Sequence, residues 1–197
     1  MNLPGIDHSV KSVAAVLVCL VCLAAGASSP QPPPSLTDEG ACPFECCTYR
    51  EWSVEADTPL LARPDDRAPV IGKASKGTKA QGITGIVIVT NPGRIEVLRP
   101  YTSESGRRYK PGDIVWVYTE RGEGFFTVWY RGEMYDEEAT FMYHDRGGWD
   151  GCVEKGTCWG KRKSFPVSIW WVKVKSSDGT VGWSRAHRNF GNMDACG

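Results

Sequence analysis

The densest group of reactive side chains in this sequence is MYDEEATFMYHD, which brings Asp136, Glu137, Glu138, His144 and Asp145 into one short run. Carboxylates beside an imidazole can pass a proton or hold a cation. The run lacks the alternating ligand spacing of a calcium loop, and acidic runs are commonly solvated turns. An exported hydrolase working through these carboxylates is therefore the lesser reading. The cysteines offer a second chemistry. Zinc sites favour paired ligands two to four residues apart, whereas CPFECC and CVEKGTC do not repeat such a pair and no histidine accompanies either. A nucleophilic cysteine would need a histidine beside it in space, and beyond the leader only His144 and His187 are available, with no local signature. No motif for phosphate, nucleotide or metal chemistry is present, so no catalytic residue, cofactor or metal is expected.

What remains is a set of bulky aromatics. Trp116, Tyr118, Trp129, Tyr130 and Trp171 could line a groove for an extended ligand, because small β-barrels bind such segments along aromatic grooves or strand edges. The same rings could equally fill a core.

The compartment is legible from the N-terminus. Lys11 precedes the apolar run SVAAVLVCLVCLAAGA, which closes on Ala25, Gly26 and Ala27, a small-x-small arrangement suited to signal peptidase. The run is shorter than the roughly 20 apolar residues of a membrane span, so no stable membrane insertion is expected after cleavage. Residues 1–27 read as a signal peptide, and the chain as exported to the periplasm or the extracellular space. The proline-rich residues 28–41 read as an extended, disordered tether, and 42–197 as a single domain. That domain holds Cys42, Cys46, Cys47, Cys152, Cys158 and Cys196, an even number that predicts disulfides in an oxidising compartment. A vicinal Cys46–Cys47 link is strained. Pairings that join the N-terminal cluster to Cys152, Cys158 and Cys196 are favoured, while the exact connectivity stays open.

Lys plus Arg number 23 and Asp plus Glu 23. Such a balance gives nucleic acid no electrostatic hold, and the lone basic cluster KRK at 161–163 reads as a solvated loop.

The elements that must position these residues are strands. Short β-branched and aromatic runs separated by Gly, Pro and Asn recur throughout, the pattern of an all-β sandwich or barrel. ITGIVIVT at 83–90 has apolar residues on both faces and reads as a central strand. GDIVWVY and FFTVWYRG flank a glycine-bearing loop and form a hairpin, with Ile114, Trp116 and Tyr118 on one face and Val115 and Val117 on the other. Both faces are apolar, so part of this hairpin is covered. Residues 133–163 show little pattern and read as an irregular loop stapled by disulfide. In WWVKVKSSDGTVGW, Asp178 and Gly179 are a strong turn signal. Alternation puts Trp170 inward and Trp171 outward beside the lysines, with Trp183 in the core.

These last residues, together with TPLLARPDDRAPVIGKASKGTKAQGITG upstream, resemble the two halves of a bacterial SH3-like (SH3b) domain: a strand, a proline-bearing loop, PVIG, a KGT turn, and a terminal tryptophan-bearing hairpin. The family's halves are nearly contiguous, whereas here they are separated. The resemblance implies a small SH3-like barrel with core halves at about 57–90 and 168–185 and an insertion at about 91–167 that carries the hairpin and the stapled loop. A second, degenerate SH3-like unit in the insertion is the alternative. The frame from CPFECC to NFGNMDACG also resembles cysteine-containing secreted bacterial proteins. Such barrels often hold wall peptides or protein segments. The resemblance thus implies a monomeric, non-enzymatic binding module for a peptidoglycan peptide or an envelope protein, with a disulfide-stapled structural or inhibitory envelope protein as the alternative.

Overall fold

The computed structural model describes Met1 and residues 30–139 and 158–196. The strands, in chain order, are β1 (Leu36–Glu39), β2 (Glu51–Val54), β3 (Thr58–Leu61), β4 (Val70–Ala74), β5 (Lys79–Asn91), β6 (Gly93–Val97), β7 (Tyr101–Thr102), β8 (Arg108–Tyr109), β9 (Ile114–Gly122), β10 (Phe125–Tyr130), β11 (Glu133–Glu138), β12 (Gly160–Ser164), β13 (Val167–Ser176), β14 (Val181–Ser184) and β15 (Phe190–Gly191). A 3-10 turn, His187–Asn189, precedes β15. The protein is all-β.

The strands form two main sheets. The first has eight strands in the order β15-β2-β5-β13-β14-β3-β4, with β1 added on β5. The second has five in the order β11-β10-β9-β6-β12, and β7 and β8 form a separate two-stranded ladder. The first sheet is thus assembled from segments at both ends of the chain, and the second comes from the residues between β5 and β13.

The strand β5 is central because both its edges are occupied. Lys79, Ala80 and Gln81 pair with β2, Ile86 to Val89 pair with β1, and β13 runs antiparallel along the opposite edge. The ladder slips between Lys173 and Val174, and such a bulge bends the strand. On the inner face of β5 two glycines make room for two tryptophans. A Cβ on Gly82 would sit 2.8 Å from the Trp52 ring, and one on Gly85 would lie 2.5 Å from Trp170 Nε1 and collide with the Tyr49 hydroxyl. Trp52 and Trp170 join Val54, Leu60, Val87, Val89, Val172, Val174 and Phe190 in the first core. The Asp178 and Gly179 turn closes the β13–β14 hairpin as its sequence predicts: Gly179 has φ +91°, and the Asp178 carboxylate accepts hydrogen bonds from Ser176 Oγ at 2.6 Å and Thr180 N at 2.9 Å.

The hairpin β9–β10 is covered on both faces, as its two apolar faces predict. Tyr118 and Trp129 enter the first core, with Trp116 packed against it. From the opposite face Val115, Val117, Phe126, Val128 and Tyr130 form a second core with Ile95, Tyr109 and Trp159. The hairpin therefore couples the two sheets.

Four expectations are corrected. Trp171 is buried, at 3% exposure, and Trp183 is the half-buried one, with Lys173 Nζ 5.6 Å from its ring on the outer face. Strand alternation held, but the outer face of β13 is covered at Trp171, which alternation cannot reveal. The segment 28–41 is not a free tether over its described part: Leu36–Glu39 is a strand of the first sheet, and Tyr118 donates to the Pro33 carbonyl at 2.7 Å. The supposedly irregular 133–163 contains β11 and β12, and its middle, with Cys152, lies outside the described residues. Finally, Cys42 pairs with Cys47 inside the N-terminal cluster, while Cys46 does reach Cys196. Cys158 is also disulfide-bonded.

The Cys46–Cys196 bond spans 150 residues and ties the C-terminal segment to the cap at residues 40–49, where Thr48 N donates to Met193 O at 2.9 Å and Ala195 N to Cys46 O at 2.8 Å. The Cys42–Cys47 bond spans only 5 residues. By chain entropy the long loop is worth about 5 kcal/mol and the short one about 2 kcal/mol. Urea unfolding of the oxidised protein should therefore show a larger loss for the Cys46→Ser, Cys196→Ser pair than for Cys42→Ser, Cys47→Ser. Equal losses would mean that noncovalent contacts, including the hydrogen bonds from Arg50 to Asn192, are enough to hold the C-terminal segment. A Gly85→Ala substitution should cost about 1–3 kcal/mol in the same assay, the usual penalty of overpacking, because Trp170 and Tyr49 must both move.

Candidate functional site: a cleft between the cap and the second sheet

The cap is held on the first sheet by ring contacts. Phe44 meets Trp170 edge-on with centroids 6.0 Å apart, and Trp170 in turn lies 4.9 Å from the His187 ring. Cys46 has φ 60°, a left-handed conformation that turns the chain back so that Cys42 and Cys47 can close. The result is a rigid wall facing the β9–β10 hairpin.

Between this wall and the hairpin lies a cleft of about 280 Å³ whose lining includes Pro43, Val87, Thr119, Phe126, Phe165 and Pro166. Glu120 lines it too, and also lines a broader depression of about 750 Å³ bordered by the cap and by the hairpin turn. Glu120 is the lining residue the two hollows share. Ladder slips around Phe126 disturb the β9–β10 alternation beside the cleft, leaving Tyr118 and Thr119 both buried in sequence. Thr119 is 3% exposed, and its hydroxyl has no hydrogen-bond partner. A buried hydroxyl without a partner is uncommon and calls for an explanation.

Polar groups at the rim are largely engaged with one another. Arg121 donates to Asp38 at 2.6 Å and to Thr127 Oγ1 at 2.7 Å, and Thr127 donates to Asp136 at 2.8 Å. Burial pushes the Tyr118 phenol up to about 12, so it stays protonated and acts as a fixed donor to Pro33. The lining of the smaller cleft holds one carboxylate, Glu120, and no histidine. The rest of that lining is apolar apart from Tyr118, Thr119 and Ser168.

The aromatics proposed as a groove are separated by the fold. Tyr118 lines the cleft, while Trp129 faces the first core, Tyr130 the second, and Trp171 is buried outside both; Trp116 is half-buried against the first core. Tyr130 is bound to Asp113 at 2.5 Å, and with burial as the main cause its phenol is raised to about 12. The residues that do line the cleft, Thr119, Phe126 and Phe165, carried no distinguishing signal, since each is one apolar or hydroxyl position among many.

The acidic run is divided in the same way. On β11 Glu137 is buried, at 5% exposure, and accepts a hydrogen bond from Tyr109, whose hydroxyl also meets Tyr135 Oη at 2.7 Å. Asp136 and Glu138 are exposed on the other face. Strand alternation therefore prevents the three carboxylates from converging. Burial, followed by the Glu137 and Tyr135 contacts, holds the Tyr109 phenol far above its ordinary value, and Arg107 stacks 3.5 Å from the Tyr135 ring. His144 and Asp145 lie outside the described residues. Cys46, Cys196 and Asp194 come within 4.8 Å of one another, but the disulfide occupies both sulfurs and leaves no ligand set there.

Compared with known proteins, the chain matches no family model, no curated protein and no solved structure.

The His187 imidazole, which supports Trp170 beneath the cap, is pushed below its ordinary 6.5 chiefly by burial. A folded state that resists protonation loses stability relative to the unfolded chain once the unfolded imidazole takes up protons. The thermal midpoint should therefore fall as pH drops below about 6.5, down to the lower folded value, and a His187→Gln variant should lose that part of the pH dependence. An unchanged profile in the variant would place the acid sensitivity elsewhere.

Proposed function

We propose that this protein is an exported, non-catalytic binding module of SH3-like character that holds an extended peptide, from the cell wall or from an envelope protein, in the cleft between its cap and its second sheet. The observation that carries this reading is the cleft itself: an apolar hollow with walls fixed by a disulfide, a covered hairpin and two prolines. Such pre-formed, mostly apolar concavities with a few polar groups are the usual form of a ligand site. The lining favours binding over turnover because, among the described residues, it sets the hydroxyl side chains Tyr118, Thr119 and Ser168 and one carboxylate, Glu120, among apolar side chains, without a histidine. The disulfides fit an oxidising compartment outside the cytoplasm. A structural role in the envelope is the second reading, favoured by the long-range Cys46–Cys196 staple.

The two readings separate in a sedimentation assay. Oxidised, exported protein is mixed with purified insoluble peptidoglycan and pelleted, beside a Ser168→Trp variant. Ser168 lines the cleft and is exposed, so a large ring there fills the hollow while leaving stability within about 0.5 kcal/mol. Retention of the parent protein and loss of the variant is the expected outcome. Equal retention of both would remove the cleft from the interaction, and retention of neither would move the weight to an envelope-protein segment or to the structural role.

A further inference from the structure

The outer face of the first sheet, turned away from its core, gathers side chains from distant stretches into one row. Gly182 faces Leu60 in the core, so Val181 and Trp183 on either side of it point outward. Register places Val70 of β4 beside Leu61 of β3, Leu61 beside Trp183, Trp183 beside Lys173 of β13, and Lys173 beside Thr84 of β5. Val181 and Lys175 are the adjoining pair on the same face. Gly82 and Gly85 both face the inner tryptophans, so the ladder slip between them turns Ile83 outward with Thr84. Val70, Ile83 and Val181 are exposed, Val70 at 63%. The cations around the row are unequally compensated. Lys79 pairs with Glu51, Lys73 with Asp57, Arg63 with Asp65 and Arg185 with Asp66. Lys173 and Lys175 have no carboxylate partner among the described residues, and Lys173 Nζ lies instead 5.6 Å from the Trp183 ring. Glu39, which also turns outward, sits on β1, two strands from Lys173.

We infer that this face adsorbs on the surface of an anionic phospholipid bilayer. Val70, Ile83 and Val181 enter the headgroup boundary, the Trp183 indole lies at headgroup level, and Lys173 and Lys175 meet lipid phosphates. Shape and chemistry together select this occupant. Strands from β2 to β4 contribute to one core, so the sheet curls around it and its outer face is convex. A convex face whose backbone groups are spent in ladders offers an extended peptide neither a groove nor a free strand edge. A sugar chain needs hydrogen-bonding side chains, where this row supplies aliphatics. A bilayer surface asks only for shallow apolar insertion and opposite charge. An indole, with an apolar body and a polar N–H, is suited to that boundary. Exposed apolar side chains gathered on one face mark interaction surfaces, and the two uncompensated ammoniums give this one its sign. The attachment is peripheral and does not involve the cleft: the aliphatics supply adhesion, and the lysines choose the membrane.

The test pellets the oxidised, exported protein with vesicles of equal parts phosphatidylglycerol and phosphatidylcholine, beside vesicles of phosphatidylcholine alone. The expected result is binding to the anionic vesicles only, falling as salt shortens the Debye length from about 10 Å at 0.1 M to about 3 Å at 1 M. This part of the test needs no variant. A Lys173→Gln, Lys175→Gln variant should lower the partition coefficient roughly tenfold. A Val70→Thr, Val181→Thr variant, which keeps the β-branched shape, should lower it roughly three- to tenfold. Brominated acyl chains should quench part of the tryptophan fluorescence, and Trp183→Phe should lose that part. Each variant alters outward side chains and should keep the near-ultraviolet circular dichroism of the parent. Ser168→Trp should bind the vesicles as the parent does; its loss of binding would place the contact at the cleft and overturn the inference. Equal retention on both kinds of vesicle, retention on neither, or retention that the lysine substitutions leave unchanged would also overturn it, and the cleft reading would stand. Capture by soluble polyglutamate without capture by vesicles would identify an acidic chain as the partner and overturn it as well.

Discussion

The pairing of β5 with β13 constrains everything else in this molecule. The ladder runs from Ala80 opposite Ser176 to Asn91 opposite Val167, so the chain that leaves β5 must come back to the same end of the sheet to enter β13. Among the described residues between them, β6, β9, β10, β11 and β12 form the second sheet and β7 and β8 the separate ladder. The exit and the return cross at a narrow point: a Cβ on Gly93 would lie 2.7 Å from Pro166 N and 2.8 Å from Ser164 O. Glycine at the exit and proline at the return therefore meet backbone to ring. The cleft opens beside this crossing, with Phe165 and Pro166 in its wall, and its position follows from the topology.

Aromatic side chains supply most of the bulk that a chain of this size needs inside. Trp52 and Trp170 sit on glycines of β5, and Tyr101, Tyr109 and Trp159 stack with centroids 4.9 to 5.8 Å apart in and beside the second core. Large rings bury much apolar area with few rotatable bonds. The hairpin β9–β10 contributes Tyr118 and Trp129 to one core and Phe126 and Tyr130 with three valines to the other, which makes the two sheets mutually dependent. Of the rings packed in this way, Tyr118 and Phe126 also reach the cleft, where they join Phe165 and smaller residues such as Val87, Thr119 and Ser168.

Charge is arranged in layers of decreasing burial. Glu137 sits inside with a tyrosine hydroxyl as its partner, because a buried carboxylate needs hydrogen bonds to stay tolerable. Arg121, Asp38, Thr127 and Asp136 form a half-exposed network that fastens the N-terminal strand to the hairpin. Outermost are carboxylates such as Glu45 and Glu123. Exposed pairs contribute little stability, so leaving these acids unpaired costs the fold almost nothing.

Sequence patterns alone determined the all-β class, the two hairpins with their turns, the central place of 83–90 and the covered state of 114–130. Each of these is written in a local signal: a period of two, an Asp-Gly or glycine-bearing turn, or apolar residues on both faces. Reading went astray at Trp171, at the segment around β1 and in the pairing of Cys42. In each case the deciding partner lies far along the chain or sits on a face whose cover no periodicity records. Alternation states which side of a strand a residue faces, not whether that side is open. The cleft has the same character, since Pro43, Val87, Thr119, Phe126 and Phe165 come from five separate stretches. Only the closing of β13 onto β5 brings them to one place, because burial and concavity are properties of packed surfaces and not of any single run of residues.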